Sequence, residues 1–422
     1  MQESLLHYIW RYQKFSKRPL RSLEGKEIKP IHIGNPNSRG GPDFLEVQLY
    51  FDGLLWNGPV ELHLLASDWY RHGHHLDPQY DSVILHVVWQ HDTDVSYAHG
   101  AIIPTLQLSD YVSSETIEKY QHVFHKKPQF LACESSIQNF STFKWKHYLD
   151  RLFVERMEKR SEEIKMLLSN FKNDWEAVLF VLLFKVFGLN SNGSAFFEAA
   201  LHTPFHCVRK LQGKLTDMEA LFLGQAGLLD GKAVDGYHKG LQQHYAYLKT
   251  KFNLSYANQK VQFARLRPSN FPTIRLAQLA ALYCKKTNLF QEFMHHTHLD
   301  QSYEVLKSSP SLYWKNHYNF GAISTVREKK VSRSFFNLIA INTLLPLRFA
   351  YSRYLGKSGE EELFLWAQQL PEEQNSILKR FKSFSVPNYN AANSQGLLHL
   401  YKNYCEKRRC LHCNVGYHLM KT

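Results

Sequence analysis

At 422 residues, with 44% hydrophobic and 21% charged side chains, the chain has the composition of a soluble globular protein with material for two domains. Six cysteines over that length exclude a disulfide-stapled scaffold. The most apolar run, 177–189, contains Lys185 and falls short of the roughly 18–20 residues of a membrane span, so it reads as a buried helix.

The net charge of +13 is unevenly spread. Residues 1–110 hold 9 Lys/Arg against 13 Asp/Glu, a balance of −4, which leaves 42 against 25, or +17, for the rest. An acidic, His-rich first part joined to a basic body suits a metal site beside a polyanion-binding surface. Charges interrupt the apolar positions of the N-terminus, MQESLLHYIWRYQKFSKRPL, so it lacks the core of a signal peptide, and a cytoplasmic protein with no membrane partner is expected.

In chain order, residues 3–15 place Leu5, Leu6, Ile9, Trp10 and Tyr12 at helical spacing. Glu27–Ile33 reads as a strand, and 35–41 as a loop rich in Asn, Gly and Ser. In FLEVQLYF (44–51), Leu45, Val47, Leu49 and Phe51 alternate with Glu46, Gln48 and Tyr50. Asp52-Gly53 marks a two-residue hairpin, and Val60, Leu62 and Leu64 then alternate with Glu61 and His63. The stretch 67–82 is a poor helix, 83–89 is apolar on both faces like a central strand, and 102–108 supplies one more strand. From about residue 143 the pattern turns helical, with helices expected over 145–170, 174–188, 216–228, 237–252, 273–286, 334–354, 360–369, 372–383 and 393–404. The expected domains are 1–130, α/β, and 131–422, basic and all-helical, with a cysteine cluster at its end.

Chemistry concentrates in the acidic hairpin. Asp43 opens one strand, while Glu61 and His63, two apart on the next, face the same side. Two carboxylates on neighbouring strands can share Mg²⁺ or Mn²⁺, which polarises a phosphodiester and activates water. His63 is then a third ligand or the base. Asp68, His72 and His74 are expected to line the same cleft. His86, inside an apolar strand, reads as a core histidine.

The tail YCEKRRCLHC spaces Cys405, Cys410 and Cys413 for a structural Zn²⁺ or an iron–sulfur cluster, with His418 or Cys133 as fourth ligand. Arg265, Arg267 and Arg275 surround a Pro-rich turn that starts a helix, an arrangement suited to a phosphate.

The Pro-Asp pair (42–43) and Glu61-x-His63 resemble the motif of the PD-(D/E)XK nucleases, with His63 where that class has lysine. The order helix, three strands, crossover, strand is similar to their αβββαβ core, with motif residues on its second and third strands. Glu3, in the first helix where that class often has a further acidic residue, is thereby implied to lie near the same cleft. That resemblance implies an α+β fold, restriction-endonuclease-like at the N-terminus and followed by a larger all-helical domain. It also implies a metal-dependent nuclease acting on DNA or RNA. The alternatives are an inactive nucleic-acid-binding or scaffold protein and a hydrolase of another phosphorylated substrate. HGHHLD (72–77) is similar to the HxHxDH string of metallo-β-lactamase-like hydrolases, except that Asp77 falls one place late. Together, HYIWRYQKF, GPDF, VELHLLASDWYRHGHH, YDSVILHVVW, RLRPSNFPTIRLAQLA and the cysteine tail resemble an uncharacterised bacterial family, domain of unknown function 2851.

Overall fold

The computed structural model describes residues 3–16, 18–37, 40–124, 130–255, 261–357 and 359–421. Residues 38–39 of the expected loop lie outside that description. The fold is mixed α+β, with an N-terminal sheet and a larger helical part, in two compact units. Unit 1 comprises 1–148, 380–386 and 400–422, and unit 2 comprises 149–379 and 387–399. No helix among the described residues is long and apolar enough to cross a membrane.

Unit 1 starts with α1 (Glu3–Arg11), which buries Leu5, Leu6, Tyr8, Ile9 and Trp10. Strands β1 (Leu20–Arg21), β2 (Glu27–His32), β4 (Phe44–Phe51) and β5 (Leu54–Leu65) are joined antiparallel in that order, with the short β3 (Asn35–Pro36) added beside β4. The Asp52-Gly53 turn forms as expected, with both residues at positive φ (49° and 83°). β6 (Leu85–Gln90) then pairs parallel to β5, and β7 (Thr105–Gln107) parallel to β6. The connection from β5 to β6 holds only a four-residue helix, α2 (Asp68–Arg71), and two single 3₁₀ turns. Gly73 at φ 76° ends α2, and Pro78 starts the second of those turns.

One register detail differs from the alternating pattern. Phe44 pairs with Val60 but Val47 pairs with Gly58, so β4 carries one extra residue, a bulge, at Leu45-Glu46. Glu46 adopts φ 61° there. The bulge turns Leu45 outward, 39% exposed, and seats Phe44 in the core with Val47, Leu49 and Phe51. Core membership therefore begins one residue before the strict period-two expectation.

The end of the chain belongs to unit 1, not to the helical body in which the sequence placed it. The helix Asn414–Lys421 buries Val415, Leu419 and Met420, and the Tyr417 ring lies 6.4 Å from that of Tyr8 on α1 and 4.6 Å from that of Tyr12, just past its end. Apolar burial against α1, invisible in local spacing, draws the tail there.

Among its described residues, unit 2 is helical apart from a two-stranded ladder, His317–Asn319 with Ala322–Ile323. Its apolar centre gathers Phe180, Phe184, Phe222, Leu279 and Tyr283. Asp174 Oδ1 starts the helix Trp175–Phe187 by accepting from the amides of Glu176 and Ala177, both at 3.1 Å. The helix Leu189–Leu201 was not expected: its Asn-Ser-Asn-Gly-Ser opening resembles a loop, but burial of Phe196, Ala199 and Ala200 overrides that local preference.

Candidate metal centre

β5 is enclosed on both faces where it crosses the middle of the sheet: Val60, Glu61, Leu62 and His63 are all buried. Pleating sends Glu61 and His63 to the same side, toward α1 and the β5–β6 connection. Glu61 is 4% exposed and His63 is 0% exposed. Two backbone bonds pin Asp43 beside them: its amide donates to Glu61 Oε2 at 2.9 Å, and its Oδ2 accepts from the Leu62 amide at 3.1 Å. The same Oδ2 lies 3.2 Å from His7 Nε2 on α1.

The β5–β6 connection returns two further imidazoles. His63 Nε2 is 3.2 Å from His72 Nδ1 and 3.5 Å from Glu61 Oε1, and His74 Nε2 is 3.3 Å from Glu61 Oε1. One nitrogen each of His63, His72 and His74 lies within 4.8 Å of the others, a spacing that could hold a metal ion. The His74 ring is stacked on Tyr80 at 3.8 Å, and Trp69 lies edge-on to it at 5.4 Å. Behind His63, its Nδ1 meets His86 Nε2 at 2.8 Å, and His86 is fully buried.

Electrostatics follow from enclosure. Burial, helped by the neighbouring His86, His74 and His72, pushes His63 down to about 2, and His86 falls to about 3 for the same leading reason. Both imidazoles are therefore neutral, as a metal ligand must be. Burial raises Glu61, against the pull of the His74 contact. Burial also pulls His7 down, but Asp43 outweighs it and holds His7 above its usual value. Glu3 is raised by burial, with His7 opposing.

The arrangement differs from the expected one in its membership. His72 and His74 stand at its centre, not at its edge, and His86 supports His63 as well as filling the core. Asp68 is committed elsewhere: its Oδ2 accepts from the Leu65 amide at 3.2 Å, and Oδ1 pairs with Arg71 at 2.7 Å. Asp77 Oδ1 caps its own turn by accepting from the Gln79 amide at 3.0 Å. His7 was missed, although its place one turn after Glu3 puts both on one face of α1. Tyr80 carried no local signal, because its role depends on stacking.

A nitrogen-rich donor set suits Zn²⁺, Fe²⁺ or Mn²⁺ better than Mg²⁺, which prefers oxygen. The chemistry fits in one further respect. The buried Nε2 atoms of His7 and His74 have carboxylate oxygens at ion-pair distance but no well-aligned hydrogen-bond partner.

The cysteines form a second cluster within unit 1. Cys133, Cys405, Cys410 and Cys413 line one pocket with Leu131, Ala132, Tyr404 and Gly416. None of the four forms a disulfide. Burial, together with the neighbouring cysteines, pushes Cys410 up to about 12 and Cys133 and Cys405 upward as well. His418 lies apart from that pocket, with its ring nitrogens 3.2 Å from Lys144 Nζ and its ring edge-on to Phe140.

Of the three arginines, Arg265 and Arg267 are exposed, but Arg275 is only 5% exposed. Its guanidinium donates to Gln278 Oε1 at 2.9 Å and Asn270 Oδ1 at 2.6 Å, and it sits 3.5 Å over the Phe335 ring. Burial lowers it to about 9. Arg275 braces the turn from inside and is not presented to a phosphate.

The family model described as "Protein of unknown function (DUF2851)" matches residues 3–376, and the chain belongs to that family. Neither the curated proteins nor the solved structures contain a match to it.

Proposed function

We propose that unit 1 is a metal-dependent hydrolase of nucleic-acid phosphodiesters, with its metal held by His63, His72 and His74 beside Glu61. The observation that carries this reading is the convergence of three imidazole nitrogens within 4.8 Å next to a buried carboxylate. The order of elements supports the class of reaction. A helix, the antiparallel run β2-β4-β5 and the parallel β6 come in the order the nuclease resemblance implies, although the crossover holds only the four-residue α2. Asp43 lies at the start of the second strand of that run and Glu61 and His63 on the third.

A divalent ion in this set would polarise a phosphoryl oxygen and acidify a water. The chain's own residues do the rest. His86, 2.8 Å from His63 Nδ1, fixes the orientation of His63 and leaves its Nε2 facing His72 and Glu61. His63 replaces the usual lysine as a ligand and not as a base, since burial and the neighbouring imidazoles disfavour the imidazolium that a base would become. Asp43, anchored by the Leu62 amide, keeps His7 protonated to a higher pH than a free imidazole, so His7 presents positive charge to a phosphate. Lys407, Arg408, Arg409 and His412, with Glu406 among them, line an open pocket that reaches Ser4 of α1. A second pocket, lined by Ser4, His7, Arg11 and His412 among others, adjoins it. That basic edge suits a polyanionic strand.

The test is cleavage of labelled single- and double-stranded DNA and RNA with Zn²⁺, Mn²⁺, Mg²⁺ or chelator, using the wild type, His72→Ala, His74→Ala and Asp43→Ala. Cleavage restored by a transition metal and lost in all three variants is expected. Absence of cleavage under every condition, with nucleic-acid binding unchanged in the variants, would leave a binding protein and overturn the hydrolase.

A further inference from the structure

The four cysteines of unit 1 come from two stretches far apart in sequence, 131–133 and 404–416, yet they line one small pocket whose remaining walls are Leu131, Ala132, Tyr404 and Gly416. Thiols buried without metal or disulfide behave as small apolar groups and show no tendency to seek each other across hundreds of residues. Here all four meet, and each of the other two cysteines of the chain, Cys207 and Cys284, lies in unit 2.

We propose that Cys133, Cys405, Cys410 and Cys413 are the ligands of an iron–sulfur cluster. Four thiolates are the usual ligand set of such clusters, and Cys-x4-Cys-x2-Cys with one distant cysteine supplies them. The pocket favours a cluster over a single zinc ion. Zinc holds four sulfurs at about 2.3 Å from one centre, which leaves no space between them. Here the four cysteines line one pocket, but among the described residues it is the histidines, not the cysteines, whose ligand atoms converge closely enough for a single ion. A cluster shares its cysteines among several irons and suits that wider set.

Local geometry is built for close approach at this place. A Cβ on Gly416 would lie 2.0 Å from the Cys410 carbonyl oxygen, so only glycine lets the terminal helix press against the Cys410 loop. The Tyr148 hydroxyl donates to Cys413 Sγ at 3.3 Å, a hydrogen bond of the kind that tunes a ligating sulfur. A cluster would clasp the 131–133 segment to the 404–416 segment. Between Cys405 and Cys410 it would also fix the loop that carries Lys407, Arg408 and Arg409. This inference stands apart from the histidine site and does not depend on the hydrolase reading.

The experiment is anaerobic purification of the full chain, followed by reconstitution with ferrous iron and sulfide. Iron, acid-labile sulfide and zinc are measured, and the visible absorption spectrum is recorded. Iron and sulfide in equal amounts with a broad visible band are expected. Both should be lost in Cys133→Ala and in Cys413→Ala but kept in the Cys207→Ala/Cys284→Ala double variant. Zinc bound without sulfide, or no metal retained by the folded wild-type protein, would overturn the cluster. Iron and sulfide retained in well-folded Cys133→Ala would remove Cys133 from the ligand set and overturn the assignment. Because wild-type metal content decides the first point, failure of a variant to fold does not leave it open.

Discussion

His63 Nδ1 and His86 Nε2 stand 2.8 Å apart in the interior of the sheet, on neighbouring parallel strands and with neither ring exposed to solvent. The contact commits one nitrogen of His63 to His86 and leaves Nε2 for the donors opposite. A metal-ligating imidazole is generally held by such a partner, whose loss weakens metal binding about 10–100-fold. His86→Ala is therefore expected to lower Zn²⁺ affinity by that factor in a chelator-competition titration, while His74→Ala removes high-affinity binding. Unchanged affinity in His86→Ala would reduce the contact to core packing.

Glu61 carries a carboxylate that its surroundings oppose: burial raises it, and Asp43 adds like charge. Glu61→Gln keeps an oxygen to accept from the Asp43 amide and removes the charge. Without metal, the variant is expected to be more stable than wild type by roughly 0.5–2 kcal/mol in denaturant titration, since functional groups are commonly kept at a cost in stability. Metal binding should weaken in the same variant. Lower stability of the metal-free variant would mean that Glu61 serves the fold.

In unit 2, Glu176 offers a pH test that is independent of either cluster. Burial outweighs the amide bonds from Phe290 and Leu289 and pushes its carboxyl up to about 7. The folded chain then holds a proton that the unfolded chain releases above the ordinary carboxylate range, so this contribution falls as pH rises from about 4.5 toward 7. Glu176→Gln is expected to flatten the stability profile in that window. It should also raise stability above pH 7 by roughly 2–3 kcal/mol at most. Equal pH slopes for the two proteins would refute the raised value.

Gly34 lies opposite the β4 bulge. Its φ is 85°, and a Cβ there would be 2.5 Å from the Leu45 carbonyl oxygen and 2.6 Å from Val47 Cγ2. Gly34→Ala meets both a left-handed backbone and an overlap with main chain, so a loss of roughly 1–3 kcal/mol is expected on thermal or denaturant unfolding. Because the bulge sets the register of Phe44 and Asp43 against β5, metal affinity should fall as well. A variant with wild-type stability would show that the bulge relaxes freely.

Much of this protein is determined by near neighbours in the chain. Period-two alternation placed β4 and β5, Asp52-Gly53 placed their turn, and a spacing of two put Glu61 and His63 on one face. Helical periodicity likewise marked most of unit 2, since apolar residues one turn apart must share a face wherever the helix later packs. The tail's spacing placed three thiols, Cys405, Cys410 and Cys413, within nine residues, close enough to share one pocket.

What only the tertiary structure decided concerns groups brought together across loops. One inserted residue at Leu45-Glu46 reversed the inward set at the start of β4, because side-chain direction changes with each register step. An irregular connection carried His72 and His74 back over β5, where no repeat in the sequence records their distance from His63. Arg275 is exposed or enclosed according to where Phe335 and Gln278 lie, and packing put both against its guanidinium. Cys133 joined Cys410 and Cys413 through the fold of unit 1, which brings chain positions hundreds of residues apart to one pocket. Spacing along a chain specifies contacts within a helical turn or a hairpin; beyond that range, contacts are set by which apolar surfaces pack together.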